Sequence, residues 1–258
     1  MKLIEFLGLP GSGKTTLVPF INSAMAENGQ SVFSRQDVRL LHVCGGIKKY
    51  RIAKKLPSLV RRGLVKVFFK INHTESYYAE KFIEKYPDLV AFVLKNSSRN
   101  GITEKVRRRS IHWFLSLGAI YQLAEETMPP DSYLLLDEGF CQKVLNLFVS
   151  VNDDTRFKKV QKYLHMIPRP DIVLYINTDE STAFERMKSR GPIKRLLNAS
   201  DEELKLFLSR AKEGMDFSLE DLGTSAKLIV LDNMRELSKG RESISEKLAQ
   251  GFSFQPAL

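Results

Sequence analysis

Acid is missing from one long stretch of this chain: residues 38 to 74 contain no aspartate or glutamate, although the 258 residues hold 30 of them. Cysteine is scarce as well. The two present, Cys44 and Cys141, lie far apart and form no Cys-x-x-Cys pair, which argues against both a zinc framework and a disulfide scaffold and leaves two reduced thiols. His42, His73, His112 and His165 lack metal-ligand spacing and are expected to be structural or exposed. No apolar run approaches the ~18 residues of a membrane span. A glycine-rich motif starting at residue 8 leaves no room for a leader, so a cytoplasmic protein is expected. No repeat or low-complexity tract is present, and a chain 43% hydrophobic can bury one substantial core. We therefore expect a single domain over 1–258.

What is there begins with "FLGLPGSGKTTL". Gly8, four free positions and then Gly13-Lys14-Thr15 match a pattern that chance would supply in such a chain with a probability of about 0.01. The context fits: Lys2 to Leu7 reads as a short apolar strand, and Leu17, Ile21 and Ala24 recur at helical spacing. Gly8, Gly11, Ser12 and Gly13 form a loop whose backbone N–H groups can turn toward phosphate oxygens at a helix N-terminus. Lys14 can reach the β- and γ-phosphates of ATP, the Thr15 hydroxyl can ligate Mg2+, and Thr16 closes the nucleotide-binding run. Pro19, early in the helix, removes one backbone hydrogen bond and has no part in this reading.

Further on, "GQSVFSR" gives a second strand with Arg35-Gln36-Asp37 at its end, and Thr103–Thr127 is a long helical pattern stopped by Pro129-Pro130. "SYLLLDEGF" is a buried strand ending at Asp137-Glu138-Gly139. Helices follow over Val144–Phe148 and about 154–166. "PDIVLYINTDE" is a strand closed by a helix cap at Thr178 or Asp179. A helix broken by Gly191-Pro192, a charged helix over 200–222, the strand "AKLIVLDN" and a helix over 236–250 complete the chain. Apolar strands alternating with helices predict an α/β fold: a parallel β-sheet of about five strands, flanked by helices on both faces.

Asp137, ending an apolar strand, is the candidate second ligand of Mg2+. Glu138 is open between polarising water, orienting an acceptor and pairing with an arginine. Arg186 and Arg190 stand four apart on one helix face before the Gly-Pro break. With the phosphate loop, the acid after the second strand and the final "VLDN" strand, this segment resembles the lid of the P-loop nucleoside and nucleotide kinases, the thymidylate-kinase-like group. The resemblance implies a lid over 186–198, with Arg186 along the adenine, Arg190 reaching the transferring phosphate and Asn233 in the loop edging the adenine ring. Asp37 would contact or deprotonate the acceptor. Phosphoryl transfer needs charge neutralised and water excluded, and a mobile arginine-bearing lid does both.

Two departures bear on the acceptor. Thymidylate kinases usually carry an acid where this chain has Leu9-Pro10, and a basic residue where it has Glu138. A glutamate there repels a phosphorylated acceptor, so a free alcohol and a nucleoside monophosphate remain equally open. A P-loop ATPase, or a nucleotide-binding interaction protein without an acceptor, is the alternative. No Asn-Lys-x-Asp base signature supports a G-protein. Trp113 is expected in the core, and Arg107, Arg108 and Arg109 either line the acceptor cleft or start a solvated helix.

The acid-free stretch carries ten Lys and Arg, a local charge equal to the +10 of the whole chain, interleaved with apolar residues from Ile47 to Phe69. Residues 38–102 are expected to form a helical basic insertion after strand 2. Its charge leaves three readings open: a solvated insertion, a contact for a polyanion, or an anionic membrane surface that would hold the protein peripherally at the inner face.

Overall fold

Alternation along the strands decides the architecture. In the computed structural model, which describes residues 1–97, 103–150, 157–191, 196, 199–233 and 247–248, β1 (Lys2–Gly8) sends Ile4 and Phe6 to one face and Leu3 and Leu7 to the other. Tyr133 and Leu135 of β3 (Tyr133–Leu136), and Ile172, Leu174 and Ile176 of β4 (Ile172–Asn177), share the face of Ile4. Leu134, Leu136, Val173 and Tyr175 share the opposite face. Strands apolar on both sides need cover on both sides. With β2 (Val32–Ser34) and β5 (Lys227–Asp232) they form a parallel sheet of five strands in the order β2-β3-β1-β4-β5. The register pairs Ile4 with Leu135 and with Ile172.

Helix α1 (Lys14–Glu27) covers the Ile4 face with Leu17, Ile21 and Met25 and runs through Pro19 without breaking. The other face is covered by a larger cluster. Between β2 and β3 stand α2 (Arg35–Cys44), α3 (Ile47–Ala53), α4 (Ser58–Ile71), α5 (Thr74–Lys85), α6 (Pro87–Asn96) and α7 (Glu104–Thr127). Thr103 caps α7 by accepting the Val106 N–H. Gly118 of α7 lets α5 approach, since a β-carbon there would lie 2.2 Å from the Phe82 ring. The chain continues through α8 (Lys143–Phe148), α9 (Phe157–Met166), α10 (Glu180–Arg190) and α11 (Asp201–Gly223).

Each strand expected from the sequence is present, and helices cover both faces of the sheet. The residues after strand 2 are helical throughout 35–44, 47–53, 58–71, 74–85 and 87–96. The helix expected over 236–250, apart from Lys247 and Leu248, lies outside the described residues, as do 98–102, 154–156 and most of the lid after Gly191. One expectation is corrected. Trp113 is not in the core: it is 44% exposed on the outer side of α7, with the Arg109 guanidinium 4.4 Å and the Lys143 ammonium 5.7 Å from its ring centroid. Arg109 precedes it by one helical turn, so the two stack on one face. Arg107 and Arg108 pair with Glu104 at the solvated start of α7.

Candidate active site

In a parallel sheet, ligands gather at the carboxyl ends of the strands where successive crossovers turn in opposite directions. Here β1 leads past β3 to β2, whereas β3 leads past β1 to β4, so the crevice opens between β1 and β3. Residues 8–15 follow β1 and Asp137 follows β3.

The loop is held by contacts only glycine permits. Gly11 and Gly13 have φ of 91° and 87°, and β-carbons there would lie 2.5 Å from the Ala183 carbonyl and 2.4 Å from Asn233 Nδ2. Lys14 folds back over the loop, its Nζ donating to the carbonyls of Gly8 at 2.6 Å and Leu9 at 3.0 Å. Burial pushes its pKa down to about 8, opposed by the charges of Glu138 and Asp137 and helped by Arg190. Asp137, Glu138 and Arg190 are therefore each within electrostatic reach of Lys14. Ser12 is buried, while Thr15 and Thr16 are exposed at the start of α1.

Asn233 and Arg186 meet behind the loop. The Asn233 Nδ2 donates to the Ser12 carbonyl at 2.6 Å, and Arg186 Nη1 donates to the Asn233 carbonyl at 3.0 Å. Thr178 closes β4 and Asp179 caps α10, accepting the Thr182 N–H at 2.7 Å.

Across the crevice, Asp137 accepts the Glu138 N–H at 3.0 Å. Arg35, the first residue of α2, reaches over, with its Nε 3.8 Å from Asp137 Oδ1 and Nη2 donating to the Glu138 carbonyl. Lys143, buried at 5% exposure, lies 3.8 Å from Glu138 Oε2, and burial holds its pKa below the usual lysine range. Two further groups fix this turn. Glu5, buried in β1, accepts the N–H groups of Phe140 at 2.8 Å and Cys141 at 2.7 Å. Gln142 bonds both backbone groups of Gly8. Arg35, Lys143, Glu5 and Gln142 carry no motif. Only Glu5, an acid inside an otherwise apolar strand, offered a sequence signal.

Asp37 stands apart from these groups. It is the third residue of α2, forming a capping box in which Ser34 Oγ accepts the Asp37 N–H while Asp37 Oδ2 accepts the Ser34 N–H at 3.0 Å. Its Oδ1 accepts the Tyr50 hydroxyl at 2.8 Å and lies 3.6 Å from Lys54. Burial alone would raise this carboxyl, but the Ser34 hydroxyl and amide, Lys54 and Tyr50 outweigh it and hold it below the ordinary range. Among the described residues no cluster of three or more His, Cys, Asp or Glu could hold a metal. Thr15 and Asp137 suit Mg2+, which takes few protein oxygens and shares phosphate ligands.

No family model and no curated protein matches the chain. Among solved structures it is similar to deoxyadenosine kinase from M. mycoides with products dCMP and a flexible dCDP bound, at 16% identity over 96% of this chain and 99% of that one, TM-score 0.49. The same kinase with bound dATP gives 16% over 95% and 98%, TM-score 0.46. Shikimate kinase from Bacteroides thetaiotaomicron gives 12% over 98% of each chain, TM-score 0.43.

Proposed function

We propose that the protein moves the γ-phosphoryl group of ATP to a small-molecule acceptor, a nucleoside, nucleotide or other small alcohol. The observation that carries this reading is the set of charges around Lys14: Asp137 and Glu138 from the turn after β3 and Arg190 from the end of α10 act on one ammonium beside a glycine cradle that a β-carbon would fill. In this reading the loop amides of Gly11, Gly13, Lys14 and Thr15 bind the phosphates, and Lys14 releases its loop carbonyls to bridge β and γ. Arg186 and Asn233 hold the adenine side, and Arg190 meets the charge that develops in transfer. Thr15 and Asp137 would hold Mg2+, which would supply further neutralisation of the phosphates.

Glu138, 59% exposed at its side chain, takes the acceptor's proton. Asp37, already engaged by Ser34, Tyr50 and Lys54, serves as a fixed ionised anchor for the acceptor rather than as the base. The test is to supply γ-labelled ATP with pools of nucleosides, nucleotides and sugars. Label on an acceptor supports transfer. Label only in free phosphate, at a rate no acceptor changes, favours the ATPase reading.

We further read 1–258 as one domain with 38–102 inserted, since Val38, Tyr50, Phe82 and Val93 share a continuous core with Leu3 and Leu134 of the sheet. No helix among the described residues is long and apolar enough to cross a membrane. Contact with an anionic membrane surface is supported by α4, whose Val60, Leu64, Val67 and Ile71 form an outward apolar stripe, each exposed, beside Lys66 and Lys70. Sedimentation with anionic vesicles that weakens steeply with salt is expected. Failure to sediment at low ionic strength would remove the membrane from this reading.

A further inference from the structure

The inner side of α4 faces a cavity of about 940 Å3, the size of a small-molecule site. Its opposite walls are the β2 strand and the Asn22–Ala26 side of α1, and α2 and α3 complete it. None of Gly8 to Thr16 lines it, so it is not the ATP crevice. The two pockets share α2: Arg35 turns toward Asp137, while Asp37 and Arg39 face the cavity.

The wall is basic after every internal pairing is counted. Its two acids are engaged, Asp37 by Lys54 and Glu75 by Arg39 at 3.5 Å. Arg51, Arg61, Arg62, Lys66 and Lys70 also line the cavity and have no ion pair among the described residues. The Nε atoms of Arg39 and Arg61 are buried and have no hydrogen-bond partner among the described residues. A buried donor without a partner costs stability, and guanidinium groups that line one cavity can match the oxygens of a phosphate. The rings of Tyr50 and Phe69 add flat apolar surface.

We infer that this cavity is a second binding site, for a small molecule bearing phosphate, with Arg39 and Arg61 as its anchors. The cavity shares Asp37 with the proposed acceptor side, but its phosphate site rests on Arg39 and Arg61 and is tested without the transfer reading. Inorganic tripolyphosphate is titrated calorimetrically into the Lys14→Ala protein, in which the loop has lost its ammonium. One saturable site is expected, weakening as salt rises. Arg61→Gln should weaken it tenfold or more, and Lys66→Gln several-fold. Arg61→Lys, which keeps the charge but loses the fork, should fall between wild type and Arg61→Gln. Lys95→Gln, which removes an exposed charge outside the cavity, should leave binding unchanged. Lys66→Gln, altering an exposed side chain, carries the test if Arg61→Gln does not fold. Absence of saturable binding in the Lys14→Ala protein at low ionic strength would overturn the site. So would equal weakening by Lys95→Gln and Lys66→Gln, which would reduce it to diffuse surface charge. Either result would leave label transfer from ATP untouched.

Discussion

The carboxamide of Gln142 grips Gly8 through both backbone groups: Oε1 accepts the Gly8 N–H and Nε2 donates to the Gly8 carbonyl, each at 3.1 Å. The same carbonyl receives Lys14 Nζ at 2.6 Å. The turn after β3 is thereby tied to the first residue of the phosphate loop. Gln142→Ala strands a buried N–H and should cost about 1–3 kcal/mol in denaturant unfolding. It should also raise the KM for ATP more than the KM for the acceptor. A loss of stability with unchanged ATP kinetics would make the contact structural only.

Glu5 and Gly139 set the position of Asp137 and Glu138. A β-carbon on Gly139 would sit 2.2 Å from the Glu5 carboxyl carbon, and the Glu5 oxygens hold the next two amides of the chain. Gly139→Ala must displace either the turn or a fully buried carboxyl group. Destabilisation of about 1–3 kcal/mol is expected, as for other overpacked cores, together with a fall in kcat. An unchanged unfolding midpoint would show that the turn has room.

Asp37 has a calculable pH signature. Its carboxyl is held below the ordinary aspartate value of 3.8, so the unfolded chain binds its proton first as the solution is acidified. The stability it contributes is whole above 3.8 and is lost as pH falls below that value through the folded pKa. Acid unfolding of Asp37→Asn should therefore depend less steeply on pH than that of wild type below 3.8. The same substitution weakens the α2 capping box by about 0.5–2 kcal/mol. As an acceptor anchor, Asp37→Asn should also reduce transfer while leaving ATP affinity nearly unchanged. An equal loss of ATP affinity would reassign it to holding the sheet edge.

Local chemistry explains what the sequence made legible. The loop, the five strands and the cap expected at Thr178 or Asp179, which is Asp179, announce themselves through spacing and neighbouring residue types. Trp113 was misjudged because helical periodicity cannot show which face of a long helix meets solvent. Arg35, Glu5, Gln142 and Lys143 escaped notice for a different reason. Their partners lie 102 to 136 residues away in sequence, apart from Glu138 beside Lys143, and only the pairing of β3 with β1 and with β2 brings them together. The cavity under α4 was foreshadowed by the acid-free stretch. That composition did not reveal that one side of the helix is basic and lines the cavity while the other is apolar and exposed.

The central claim is that Lys14 and its neighbouring charges promote phosphoryl transfer to an acceptor. The most direct measurement is a single-turnover experiment with γ-labelled ATP and an acceptor pool, run on wild type and on Lys14→Ala. The account predicts label on an acceptor with wild type, and a rate lower by on the order of 10² or more for Lys14→Ala with its fold intact. Transfer at the wild-type rate by a folded Lys14→Ala protein would contradict it.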